Sequence, residues 1–241
     1  MKKQILLLFI SCSTMLVSNA QETSSRSVKL GIKVAPTISY ARVIYKKSDD
    51  NVEYSRGGSV ARLIVGPYVD FGLNDNVTFS TGLWYSPRAV VLSAKYKDTL
   101  GNSTTRKSQY NLQYVMIPVY FKFYTNEITS GVKLYFTLGA TVDVKIAEKK
   151  SGDDNIMFKE YAAKENHALF TFADASILAG LGAEFKLKEI TTLYAGISYN
   201  RGLVNIVNPF LEYDVNGTKV KPYKYVSVKN NLLSLDLGVK F

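Results

Sequence analysis

Acidic and basic side chains recur in this chain at alternate positions of segments that are otherwise apolar. Arg62, Asp70, Arg88, Lys122, Asp143, Lys145, Asp174, Glu184 and Asp236 form the main set, with Lys33, Lys186 and Lys240 in the same phase. Ions of both signs on one face can pair with each other, gate an ion path, or plug a narrow space. Arg62 with Asp70 and Lys145 with Asp143 are the pairs that sequence proximity suggests, and a plug is the expected use. Catalytic groups are scarce. His167 is the single histidine, and a Ser–His pair for lipid hydrolysis would need a partner such as Ser176, which falls inside a strand pattern. Asp49-Asp50 and Asp153-Asp154 offer oxygen ligands of the kind calcium takes, but their spacing does not match an Asp-rich calcium loop. Gly180 and Gly182 lack the third glycine of a phosphate loop and open no helix. No catalytic residue, metal site or cofactor is expected.

The elements that must position these charges have a period of two. From Val132 to Ile146, Val132, Leu134, Phe136, Leu138, Ala140, Val142, Val144 and Ile146 alternate with Lys133, Tyr135, Thr137, Gly139, Thr141, Asp143 and Lys145. In a β-strand this puts the two sets on opposite faces. Eight such segments are expected, over about 28–44, 60–73, 77–97, 109–124, 132–147, 170–187, 191–207 and 226–241. Short joins at Asn74-Asp75-Asn76, 125–131 and 188–190 alternate with long polar joins at 45–59, 98–108, 148–169 and 208–225. Long loops therefore share one rim and short turns the other. The expected fold is all-β, an eight-stranded antiparallel up-and-down transmembrane β-barrel occupying residues 28–241.

Residues 1–20 carry Lys2-Lys3, a mostly apolar stretch from Ile5 to Val17, and Ser18-Asn19-Ala20 before Gln21. That is the pattern of a secretory signal peptide, with 21–27 a short lead into the barrel. Cys12, the one cysteine, lies within it, and Phe9-Ile10-Ser11 fits a lipidation signal poorly. A mature chain without thiols has no disulfide or thiolate chemistry. Loss of Lys2 and Lys3 takes the formal charge from +10 to +8. The basic residues are scattered, so they suit anionic lipid headgroups and not nucleic acid.

A soluble barrel of the lipocalin kind alternates too. Three features favour lipid. The minor face mixes charges with glycines such as Gly31, Gly66, Gly139, Gly182 and Gly238, which suits a narrow lumen filled by side chains. Aromatics of the apolar face gather near strand ends: Phe71, Phe79, Phe123, Phe185 and Phe241 toward the short turns, Tyr40, Tyr85 and Tyr199 toward the loops. Girdles of this kind mark membrane interfaces. The last strand, Leu235-Asp236-Leu237-Gly238-Val239-Lys240-Phe241, alternates and ends on phenylalanine, like the assembly signal of outer-membrane barrels.

Leu112-Gln113-Tyr114-Val115-Met116-Ile117-Pro118-Val119-Tyr120-Phe121-Lys122 resembles a recurring strand of the PorT-like outer-membrane β-barrel family. Gly82-Leu83-Trp84-Tyr85-Ser86 and Ala179-Gly180-Leu181-Gly182-Ala183-Glu184 are similar to further features of that family. The resemblance spans essentially the whole mature chain. It implies a compact barrel in a Gram-negative outer membrane, in a family some of whose members are associated with secretion machinery.

The expected role is non-enzymatic: binding, structure or envelope assembly through the outer loops. Outer-membrane lipid is the expected surrounding, with lipopolysaccharide or an envelope protein as partner and no nucleic acid. Arg42, Lys46, Lys47 and Arg56 near the loop rim are placed to meet lipopolysaccharide phosphates. Phe210, Tyr213, Tyr223 and Tyr225 make that rim aromatic. A narrow channel, a lipid-modifying outer-membrane enzyme using His167, and a soluble lipocalin-like carrier are the alternatives.

Overall fold

A computed structural model describes residues 28–45, 52–97, 102–151, 168–188, 190–210, 213–215, 218–220, 224 and 226–241. Residues 1–27, and with them the signal sequence and Cys12, lie outside it. So do Lys46, Lys47, Asp49, Asp50, Asp153, Asp154, His167, Tyr223 and Tyr225.

Twelve strands are present among the described residues: β1 (Val28–Tyr45), β2 (Val52–Arg56), β3 (Ser59–Asn74), β4 (Val77–Gly82), β5 (Trp84–Lys97), β6 (Ser103–Tyr124), β7 (Val132–Ser151), β8 (Ala173–Lys186), β9 (Thr192–Gly202), β10 (Tyr213–Val215), β11 (Thr218–Val220) and β12 (Val226–Lys240). β1, β12, β9, β8, β7, β6, β4 with β5, and β3 follow one another, and β3 pairs back onto β1. All these pairings are antiparallel, so the eight members close into an up-and-down barrel. Closure is what lipid demands, because an open edge there would leave backbone groups without partners. The seam between first and last strands runs from Tyr45↔Val226 to Gly31↔Lys240. It ends with Leu30 and Phe241 exchanging both backbone hydrogen bonds, at 3.1 and 2.8 Å.

The alternation sorts the faces as charge and hydrocarbon require. Leu134, Leu181 and Leu235 point outward and are 43%, 60% and 47% exposed, while Asp143 and Glu184 point inward at 0% and 8%. In a water-soluble barrel the two sets would be exchanged. No helix among the described residues is long and apolar enough to cross a membrane; the strands make the crossing. Along the short-turn end of the outer face, Phe71, Phe79, Phe121, Phe123 and Phe136 form a ladder of neighbouring rings, centroids 5.6–6.4 Å apart. Phe185 and Phe241 are exposed on the same face. Toward the loops, Tyr40 and Tyr199 share a hydroxyl contact of 3.2 Å, and Tyr85 stands apart from them on β5, opposite Val65.

Several boundaries differ from those read in the sequence. The segment 77–97 is two strands, broken at Leu83. β4 pairs with β3 and β6, whereas β5 pairs with β6 along its whole length and meets β3 only at Val65↔Tyr85. The join 45–59 contains β2, which pairs with the outer half of β5. β6 and β7 run further than expected, to Ser103 and Ser151. β8 and β9 are shorter than 170–187 and 191–207, because 168–172 and 203–208 leave the barrel wall. Those two segments join at a Phe170↔Val207 bridge, with Thr171 N–H donating to the Ile206 carbonyl at 2.8 Å.

Glycines on the inner face serve as seats for tyrosines. A β-carbon on Gly182 would lie 2.4 Å from the Ala195 carbonyl and 2.5 Å from the Tyr135 hydroxyl; one on its cross-strand partner Gly196 would lie 2.6 Å from the same hydroxyl. Gly31 is likewise filled by Tyr68, and Gly238 by Tyr194. Gly182→Ala is therefore expected to destabilise the folded barrel by about 1–3 kcal/mol, as overpacking does. A urea titration in detergent micelles checks this, and an unchanged midpoint would show the seat to be slack.

Candidate functional site

The inner face of the barrel is filled in three tiers, each built by side chains that share the phase of the charges.

Nearest the short turns, Asp70 (β3), Lys122 (β6), Glu184 (β8) and Lys240 (β12) converge from four strands. Asp70 Oδ2 is 2.8 Å from Lys122 Nζ and 3.1 Å from Lys240 Nζ. Lys240 also reaches Glu184 at 2.7 Å, and Lys122 lies 3.7 Å from the same carboxylate. The remaining acceptors are used: Ser80 Oγ donates to Asp70 at 2.6 Å and the Tyr124 hydroxyl donates to Glu184 at 2.8 Å. Two positive and two negative charges balance. The Lys122 ammonium also sits among the rings of Tyr68, Tyr194, Tyr135 and Tyr120, 4.9–5.9 Å from their centroids, a further electrostatic gain for a desolvated cation. Beside this group, Lys33 pairs with Asp236 at 2.9 Å and lies 4.1 Å over the Trp84 ring.

Further toward the loops is Arg88 of β5. Its guanidinium is 2.9 Å from Asp143 Oδ2 on β7 and 3.3 Å from Asp174 Oδ2 on β8. Asn230 Nδ2 donates to Asp174 at 2.9 Å. Thr141 and Ser176 hydroxyls bond each other at 2.7 Å, and Thr141 reaches Asp143 at 3.3 Å. The Tyr114 ring lies 4.7 Å from the guanidinium carbon. All three charged groups are fully buried.

The outermost tier is apolar. Ala41, Val90, Leu92, Tyr110, Leu112, Phe170, Ile206, Val207, Val226 and Val228 form one buried cluster, with Tyr110 and Phe170 edge to face at 5.3 Å. The outer half of β5 leans into the mouth to reach it, and Ala89 N–H donates to the inward Ser39 hydroxyl of β1 at 3.1 Å. Lys145 and Glu148 fasten the 168–172 segment beneath it. They contact each other, Lys145 reaches the Phe170 carbonyl at 2.5 Å, and Glu148 accepts from Leu169 N–H at 2.9 Å.

The structure places all nine charges named from the sequence on the inner face, but with other partners. Arg62 does not pair with Asp70: its Nη2 donates to Asn111 Oδ1 at 2.6 Å. Lys145 does not pair with Asp143, because Arg88 takes that carboxylate and Glu148 takes the lysine. Lys33 and Lys240 prove as central as the nine. The apolar cap has one visible sequence signal, the run Ala89-Val90-Val91-Leu92, which breaks the alternation. Ser176 is buried in the wall of the middle tier, and His167 lies outside the described residues. Among the described residues no cluster of three or more metal-ligating side chains occurs.

A pore through the barrel would leave its lining wetted. Here the side chains of all three tiers, from Lys122 through Arg88 to Leu112, are almost wholly inaccessible to water.

A family model described as outer membrane protein beta-barrel domain matches residues 19–208. No curated protein matches the chain. Among solved structures, the outer membrane protein OprG from Pseudomonas aeruginosa is similar with a TM-score of 0.53 at 10% identity, over 90% of this chain and 97% of that one. Neisserial surface protein A is similar at 12% identity with a TM-score of 0.40, over 87% and 95%. The outer membrane protease OmpT from Escherichia coli is similar at 10% identity with a TM-score of 0.45, over 91% and 99%. At 10% identity the likeness to OprG is one of fold.

Proposed function

Because the chain belongs to the outer membrane protein β-barrel domain family, we propose that it is a closed, non-enzymatic barrel of the Gram-negative outer membrane that works through its loop-side rim. Its role on this reading is binding, structure or envelope assembly, with lipopolysaccharide or an envelope protein as partner. The narrower kinship with PorT-like barrels belongs to the same reading, supported by the strand from Leu112 to Lys122.

One observation carries the proposal: the lumen is packed at three levels by buried ion pairs, tyrosines on glycine seats and an apolar cap. Desolvated charges in ion pairs are held in place, since separating them would leave buried ions uncompensated. Such a lumen makes a poor ion path and a stiff support. The rim offers contact surface instead: Phe172 and Phe210, on segments flanking the apolar cap, are 76% and 88% exposed.

Conductance in a planar bilayer tests the reading. The inserted barrel is expected to be electrically silent across the voltage range in which porins conduct. Steady unitary openings would overturn it in favour of a narrow channel.

A further inference from the structure

We propose that the outward face of β1, β12 and β9, just beyond the apolar band on the loop side, is a binding site for the phosphate groups of a phosphorylated outer-leaflet glycolipid. The inference deepens the proposed lipopolysaccharide partnership and rests on the loops facing outward, but not on the lumen being silent.

Three adjacent strands each place a cation on this face. Arg42 of β1 is directly opposite Lys229 of β12, and Arg201 of β9 is opposite Asn231, one step diagonal from Lys229. Like charges directly across a strand pair oppose pairing, and no carboxylate relieves them: among the described residues none of the three is in an ion pair. A fourth cation, Arg56 of β2, lies over the Tyr40 ring at 4.5 Å. An anion between these strands would turn the repulsion into attraction.

The cations are also held in position. Arg42 Nη2 donates to the Gly202 carbonyl at 3.2 Å, which ties β1 to the end of β9, while its buried Nε has no acceptor. Tyr40 and Tyr199, joined through their hydroxyls, form a floor toward the membrane. Below that floor the same three strands present Ile38, Leu233 and Ile197, exposed and apolar. The order from hydrocarbon to tyrosine to cation follows the order of a lipid from acyl chain to interface to phosphate. Guanidinium groups suit phosphate because they offer several donors in one plane.

The test uses the purified full-length mature barrel in detergent micelles, mixed with bisphosphorylated lipid A or with chemically dephosphorylated lipid A, and read by native mass spectrometry. The wild-type protein is expected to retain the phosphorylated lipid and release the dephosphorylated one. An Arg42→Ala, Arg201→Ala, Lys229→Ala triple variant is expected to bind the phosphorylated lipid more weakly by roughly tenfold for each cation removed, as loss of charge-assisted bonds implies. The variant's urea midpoint should change little, since relief of like-charge repulsion offsets loss of the Arg42–Gly202 hydrogen bond; this separates weak binding from misfolding. Equal retention by variant and wild type, or equal retention of the two lipids, overturns the proposal. A barrel that conducts yet keeps the phosphate preference would sink the silent-lumen reading alone.

Discussion

Arg88→Ala is expected to destabilise the barrel by about 3–5 kcal/mol, the loss seen when one partner is removed from a buried ion pair. The guanidinium is the only cation near Asp143 and Asp174 that the described structure brings into contact with both. Without it, two carboxylates remain side by side with no compensating charge and little water. Thr141, Ser176 and Asn230 still offer hydrogen bonds, but they do not supply positive charge. The barrel must then protonate these acids, admit water to the middle tier, or unfold. Rescue separates this cause from simple loss of volume: adding Asp143→Asn and Asp174→Asn to Arg88→Met should recover a large part of the loss, because the neutral set leaves no ion unpaired. Trp84, the single tryptophan and fully buried in the neighbouring tier, reports unfolding by fluorescence during a urea titration. A loss below about 1 kcal/mol for Arg88→Ala would place it with ordinary surface changes and show that the middle tier is hydrated.

The faces of this barrel were legible from the residues, whereas the partners across the lumen were not. A period of two says which side of the sheet Asp70 is on. It does not say which strand stands opposite, because that depends on how far each strand is staggered against the next around the ring. Arg62 and Asp70 share a face, but eight residues of one strand separate them by roughly 27 Å at about 3.4 Å per residue, far beyond any ion pair. Asp70 instead meets Lys122 and Lys240, from strands remote in sequence. Lys145 and Asp143 are near enough to interact, yet Asp143 is taken by Arg88 from a remote strand, and Lys145 by Glu148 further along β7 and the Phe170 carbonyl. The apolar cap was hidden for a related reason. Periodicity describes a regular wall, and the segments 168–172 and 203–208 stop being wall where they cross the mouth. Their hydrophobic residues, Phe170, Ile206 and Val207, continue the composition of the adjoining strands while serving the core. β2 has only five residues within a polar stretch of sequence, a run too short to show a period; pairing with β5 and the packing of Tyr54 against the apolar cap hold it.

Leu138→Arg is the second large effect, and its size depends on the solvent outside the barrel. Leu138 is on β7, outward, 48% exposed to a water-sized probe, with Phe121 and Ala179 as its cross-strand neighbours. A membrane strand crosses hydrocarbon in about 9–11 residues. Counting along β7 from the ring ladder at Phe136 toward the loops, Leu138 falls near the middle of the outward run from Leu134 to Val144. In water, an exposed leucine exchanged for arginine changes stability by at most about 0.5 kcal/mol. In lipid, the same exchange near the midplane costs about 2–4 kcal/mol, falling toward zero at the interfaces. Ile190, 73% exposed in a short turn beyond the strands, supplies the control: Ile190→Arg should be nearly neutral although that residue is more exposed than Leu138. The two variants, refolded into phosphatidylcholine vesicles and titrated with urea, should therefore differ by about 2 kcal/mol or more, in the opposite order to their exposure. Exposure alone gives the same order but not the size: two exposed positions in water would each change by at most about 0.5 kcal/mol, so a gap of about 2 kcal/mol requires hydrocarbon around Leu138. Equal and small effects would mean that the outward leucines face water, and the same chain would then have to be a soluble barrel with its charges turned inside.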